Sequence, residues 1–190
     1  MRFWLTICLF AYLHFLWPTL AQSEYVYQEP SDFVQEAFSG NVPEASLLIV
    51  TGERKEIVSE ILGHSPSMIR VRYWAKGLRT AWVLEEIGKT KPITAGFIID
   101  DGHIKDVRIL IYRESHGGEV RHEFFTKQFN DATLDSNLRL SNTVDGISGA
   151  TLSVNALKRL SALALYLDRE AKVETTNNKS SEKEEKWEQK

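Results

Sequence analysis

The stretch "PITAGFIIDDGHIKDVRILIYRES", residues 92–115, decides the fold class. Two apolar runs of strand length flank Asp101-Gly102, and Asp-Gly between such runs is a strong signal for a type I′ turn joining antiparallel strands. In the second run Ile104, Val107, Ile109 and Ile111 partly alternate with polar residues, as burial on one face demands. Just upstream, "MIRVRYWAKG" (68–77) and "LRTAWVLEEIGK" (78–89) read as two more strands around a Lys76-Gly77 turn. Strands that follow one another through short turns predict an antiparallel meander.

The flanks supply helices. Residues 22–68 look mainly helical: "PSDFVQEAF" (30–38) would line Phe33, Ala37 and Phe38 on one face. "TGERKEIVSEILG" (51–63) places Ile57, Ile61 and Leu62 at helical spacing and closes on Gly63. Between them "ASLLIV", Ala45 to Val50, reads as a buried strand. Beyond the hairpin, "GGEVRHEFFTKQF" (117–129) is a short strand or helix, and "NDATLDSNLRLSNTV" (130–144) a polar linker. A helix is expected from about Leu152 to Ala171, with Val154, Leu157, Leu160, Leu163, Ala164 and Leu167 on its apolar face. The expected fold is α+β, an antiparallel sheet packed by helices. Residues 69–171 form its principal domain, and the polar, low-complexity residues 172–190 a disordered tail.

Residues 1–21 carry Arg2, an apolar run from Phe3 to Trp17, Pro18, and the small-residue site Thr19-Leu20-Ala21. This is the pattern of a secretory signal peptide cleaved after Ala21; the run is short for a membrane anchor, which needs ~20 apolar residues. The single cysteine, Cys8, lies inside it. A mature chain without cysteine has neither disulfides, cysteine metal sites nor thiol catalysis. Lys+Arg 23 against Asp+Glu 26 gives a net charge of -3, interspersed along the chain, which argues against nucleic acid as a partner.

"DGISGATLS", Asp145 to Ser153, stands at the start of the last helix pattern. Three readings compete. Ser148 or Thr151 can simply cap the helix, worth ~1 kcal/mol. Gly146-Ile147-Ser148-Gly149-Ala150 nearly matches G-x-S-x-G and would make Ser148 an esterase nucleophile. Ala150 replaces the last glycine, though, and every histidine precedes Ser148, the wrong order for an α/β-hydrolase. A phosphate seat uses the free N–H groups and positive dipole end of a helix start. Gly146 and Gly149 would let the backbone approach, small Ala150 would leave room, and the hydroxyls of Ser148 and Thr151 can donate to the phosphate or be esterified by it. No triphosphate P-loop is present.

Position by position, Asp145-Gly146-Ile147-Ser148-Gly149-Ala150-Thr151 resembles the D-x-x-[ST]-G-A-[TS] attachment motif of FMN-binding domain proteins. That family includes the flavin-bearing periplasmic subunits of sodium-pumping NADH:quinone reductase and of the Rnf complex. The resemblance runs upstream through "GFIIDDGHIKDVRILIYRESHGGEV" and covers about Ile93 to Leu167. It implies that a flavin transferase uses FAD to esterify FMN phosphate onto Thr151, with Ser148, Gly149 and Ala150 beside it. It further implies that Asp145 and Gly146 serve recognition or metal-assisted activation by the transferase; an Asx-turn is the plain reading of Asp145. Glu114, Gly117 and Gly118 would lie near the flavin ring. Here the chain departs from the family's E-T-P-G-[LM]-G run, having Glu114-Ser115-His116-Gly117-Gly118-Glu119 instead.

Trp74 and Trp82 read as core or sheet-face residues. His103, His116 and His122 lack the spacing of a metal site, and Lys158 and Arg159 read as solvated, with Lys158 able to approach a phosphate. The expected function is an exported, periplasmic flavoprotein that carries electrons through covalent FMN. With no G-x-G-x-x-G after a strand, its electrons would come from a cytochrome, a quinol-linked or a membrane reductase partner. A non-redox binding or assembly module that keeps the turn without flavin is the alternative.

Overall fold

A computed structural model of the chain describes residues 24–188, with side chains described through residue 176. The expected signal peptide and Cys8 lie outside the described residues. The described elements, in chain order, begin with strand β1 (Tyr25–Val26), helix α1 (Pro30–Ala37), strand β2 (Ala45–Ile49) and helix α2 (Gly52–Leu62). Strands β3 (Arg70–Lys76), β4 (Arg79–Ile87), β5 (Pro92–Asp100) and β6 (His103–Tyr112) follow. After β6 come a 3-10 turn (Gly118–Arg121), the short helix α3 (Glu123–Thr126), a second 3-10 turn (Lys127–Phe129) and the long helix α4 (Thr151–Glu188). The strands form one antiparallel sheet in the order β1-β6-β5-β4-β3-β2, the α+β architecture expected from the sequence.

Both hairpins form where the turn residues demand. Asp100 pairs with His103, leaving Asp101 (φ 51°) and Gly102 (φ 78°) as a two-residue loop with both φ values positive, as a type I′ turn requires. Lys76 pairs with Arg79 around Gly77-Leu78. The β5–β6 ladder carries register shifts between Thr94 and Ala95 and between Ile98 and Ile99. These bulges explain the imperfect alternation of β6. Ile104, Val107, Ile109 and Tyr112 join the larger core, whereas Leu110 and Ile111 belong to the opposite face.

That larger core lies between the sheet and α4. Val154, Leu157, Leu160, Leu163, Ala164 and Leu167 are all buried against Trp82, Leu84, Phe97 and their neighbours, and Val58 and Leu62 of α2 close the side. Burying each large aliphatic side chain contributes about 1.5–3 kcal/mol before chain entropy is counted. Trp82 is fully buried, stacks on Tyr73 at 4.7 Å, and donates its indole N–H to Thr80 Oγ1 at 2.9 Å. On the other face α1 packs Phe33, Val34, Ala37 and Phe38 against Ala81, Ile98 and Leu110. Gly96 permits this approach, because a Cβ there would lie 2.6 Å from the Phe33 ring.

Three expectations change. Residues 22–68 supply two strands of the same sheet as well as two helices. The Ala45–Ile49 strand is an edge strand, with Leu48 buried but Leu47 54% exposed, so it is half-buried rather than internal. The final helix continues past Ala171 to Glu188, through most of the segment expected to be a disordered tail.

Candidate functional site

The Asp145–Thr151 turn is held from beneath. The Asp145 N–H donates to Gln128 Oε1 at 2.7 Å, and the Ala150 N–H donates to the Ile147 carbonyl at 3.0 Å. Gly149 takes φ 81°, and Ala150 is buried, so the chain turns sharply into α4. Val154 N–H donates to Ala150 O at 2.9 Å, the first i→i−4 bond of the helix. The amides of Thr151, Leu152 and Ser153 therefore have no intrahelical acceptor, and they mark the positive end of the helix dipole. Thr151 and Ser148 are exposed, and among the described residues neither hydroxyl makes a hydrogen bond. Among the described residues neither one caps the helix, and no histidine is hydrogen-bonded to the Ser148 hydroxyl. A Cβ at Gly146 or Gly149 would meet nothing within 4 Å. The turn presents open backbone and two unengaged hydroxyls to solvent.

The loop after β6 docks onto this turn through Gly117. Its φ is 83°, and a Cβ would lie 2.8 Å from Ser153 Oγ and 3.1 Å from the Tyr112 hydroxyl. Tyr112 ties the two walls together: its hydroxyl donates to the His116 carbonyl at 2.5 Å and meets Ser153 Oγ at 3.0 Å. Burial pushes the Tyr112 pKa above its ordinary value. Gly118 lies over the same ring, 3.6 Å separating its would-be Cβ from Tyr112 Cε1.

Glu114, expected near the flavin ring, also holds the β4–β5 turn. It is 6% exposed, and its Oε1 accepts the N–H groups of Lys89, Thr90 and Lys91 at 2.5, 2.5 and 2.8 Å. Its Oε2 accepts the Thr90 hydroxyl at 3.2 Å. Burial raises the carboxyl's pKa, but the donors from Lys91, Thr90 and Lys89 outweigh it, leaving the net value below the ordinary one. Glu114 thus anchors the β4–β5 turn while lining the cleft described next.

A cleft of about 640 Å3 opens between these walls. It is lined by Ser148 and Gly149, by residues of the Glu114–His122 loop, and by Tyr25, Tyr27 and Tyr112. Of the residues expected from the motif, Glu114, Gly117, Gly118, Ser148 and Gly149 come together here. Thr151 is the next exposed residue beyond Gly149 on the first turn of α4 and does not itself line the cleft. Asp145 and Gly146 are exposed at the start of the turn, also outside the lining. Residues 88–166 match the family model of the FMN-binding domain. This segment belongs to the FMN-binding domain family. No curated protein and no solved structure matches the chain.

The FMN-binding domain thus contains β5, β6, the Gly117 loop, the attachment-like turn and the first turns of α4, but not β1. Its residues fit the phosphate end of a flavin: amides without an intrahelical acceptor, hydroxyls that make no hydrogen bond among the described residues, and glycines in open space converge at one helix start. Tyr25 of β1 and Tyr27 just beyond it carry no motif in the sequence. Their only local signal is the alternation in Tyr25-Val26-Tyr27, too short to register as a strand. His116 and His122 line the cleft, whereas His103 sits at the far hairpin, bonded to the Asp101 carbonyl. Among the described residues no group of three or more His, Cys, Asp or Glu could hold a metal. Lys158 lines a separate groove with Arg139 and Arg159, and Arg159 reaches Glu86 at 3.4 Å.

Proposed function

We propose that the chain carries FMN joined through its phosphate to the Thr151 hydroxyl, and that it works as an exported electron carrier. The observation that carries this reading is the exposed Thr151 hydroxyl, which makes no hydrogen bond among the described residues. It stands at the positive end of α4, beside a ring-sized cleft, within a segment that belongs to the FMN-binding domain family. In the attachment step the Thr151 oxygen bonds to the FMN phosphorus of FAD. The phosphoanhydride bond breaks, AMP leaves, and the hydroxyl proton passes to a base of the transferase. Bound FMN supplies the redox chemistry, and the protein fixes its position and limits its exposure.

Gly146 and Gly149 leave the threonine accessible to the transferase, and Asp145 is free to be read by it. The N-terminal apolar segment supports export, and among the described residues no helix is long and apolar enough to cross a membrane. Covalent attachment suits a compartment where lost FMN is not replaced. The electron partner is a cytochrome, a quinol-linked or a membrane reductase subunit. The chain is coexpressed with a flavin transferase and run on a denaturing gel. Flavin fluorescence should stay with the wild-type and Ser148→Ala bands and vanish from Thr151→Ala. A wild-type band without flavin, or a fluorescent Thr151→Ala band, overturns the assignment.

A further inference from the structure

The cleft has a wall that the FMN-binding domain does not supply. β1 adds to the outer edge of β6, pairing Tyr25 with Tyr112 and Val26 with Ile111. Cross-strand partners share a face of the sheet. Tyr25 therefore lies on the same side as Tyr112, whose hydroxyl meets Ser153 at the start of α4, and Tyr27, just past the end of β1, lines the same cleft. The two rings are nearly parallel, 9° apart in plane and 6.4 Å between centroids. Both are exposed, at 54% and 43%, although each lines the cleft. The strip is also held in place: the Tyr27 N–H donates to the Leu110 carbonyl at 2.8 Å, and the Arg121 guanidinium lies 5.2 Å over the Tyr27 ring.

Two exposed, near-parallel phenols make an aromatic surface along the cleft, with the Arg121 guanidinium over the Tyr27 ring. Ser148 and Gly149 of the attachment-like turn line the same cleft. We infer that Tyr25 and Tyr27 are the stacking platform for the flavin's ring system, contributed by the N-terminal strand from outside the family domain. This rests on the proposed flavin function and adds to it the residues that hold the ring. A planar ring against such a surface gains dispersion and apolar burial without needing a directional partner. A phenol in contact with a flavin also quenches its emission, because the excited ring takes an electron from the phenol and returns it. Wild-type protein should therefore hold a dimly fluorescent flavin.

The test uses the full chain, both coexpressed with a transferase and titrated with free FMN. In the double variant Tyr25→Leu/Tyr27→Leu, covalent loading of Thr151 should stay at wild-type level while flavin emission in the native protein rises severalfold. Its affinity for free FMN should weaken roughly tenfold, about 1.4 kcal/mol. The double variant Tyr25→Phe/Tyr27→Phe keeps the flat rings without the oxidisable phenol. It should bind free FMN like wild type yet lose the quenching, a split that a merely structural role for the strand would not produce. Wild-type affinity and emission in the leucine variant overturn the platform, whatever happens at Thr151. If Thr151 stays unloaded but quenching of free FMN still depends on the two tyrosines, the attachment fails and the platform stands.

Discussion

Replacing Glu114 by Gln separates the two roles its position invites. The carboxylate takes three backbone N–H groups on one oxygen and the Thr90 hydroxyl on the other. Charge-assisted hydrogen bonds are roughly twice as strong as neutral ones, and each contributes about 1.5–3 kcal/mol. Glutamine keeps a carbonyl oxygen for the turn but loses the charge. Lys89 and Thr90 are exposed and regain water for their amides. The expected loss is therefore about 2 kcal/mol, or a melting temperature lower by about 4–8 °C for a chain of this size. The pH dependence has a definite sign. The folded pKa lies below the ordinary value, so the carboxylate's contribution is fully present above the unfolded pKa and is lost as pH falls through the folded value. Guanidinium titrations at about pH 7, 5.5 and 3.5 should show the wild type ahead by the full margin at the first two and by much less at the third. Equal stability at pH 7 would refute the turn-anchoring role. A shifted flavin spectrum with unchanged stability would return Glu114 to the ring.

Three further outcomes follow from the packing. Gly96→Ala drives a Cβ to within 2.6 Å of the Phe33 ring and should cost about 1–3 kcal/mol in chemical denaturation, partly recovered when combined with Phe33→Leu. Gly117→Ala meets both a positive φ and Ser153 Oγ at 2.8 Å, so it should lower stability by about 1–3 kcal/mol and reduce flavin loading; pairing it with Ser153→Ala should relieve only the steric share. His64 donates through Nδ1 to the Ser65 carbonyl and through Nε2 to Glu86 Oε1, each at 3.0 Å, contacts that raise its pKa. Its contribution is full below the unfolded value of about 6.5 and disappears as pH rises through the folded value. The stability gap between wild type and His64→Ala should accordingly narrow between about pH 6 and pH 9 in urea titrations.

What could be read from the chain depended on how local the determining contacts are. Asp101-Gly102 and Gly63 announce a hairpin and a helix end through their own backbone preferences, and both form as expected, Gly63 at φ 75°. The apolar face of α4 was legible because its period is internal to the helix. The facing of Ile111 was not, since the bulges that reset the alternation are properties of the β5–β6 ladder. Gly96 gives no local hint of its role, which exists only because Phe33 arrives from α1. The same holds at the site. The turn at Asp145–Thr151 reads as a motif in one dimension. The commitment of Glu114 to the 89–91 amides, the Tyr112–Ser153 link and the arrival of Tyr25 and Tyr27 beside them are long-range pairings.

The central claim is the bond between FMN and Thr151, and peptide mapping by mass spectrometry of the transferase-coexpressed chain tests it most directly. The account predicts a mass gain of one FMN less one water, confined to the peptide holding Asp145–Ser153 and assigned by fragmentation to Thr151. The same gain on Ser148 or on any other residue, or none on wild-type protein that a competent transferase has met, would contradict it.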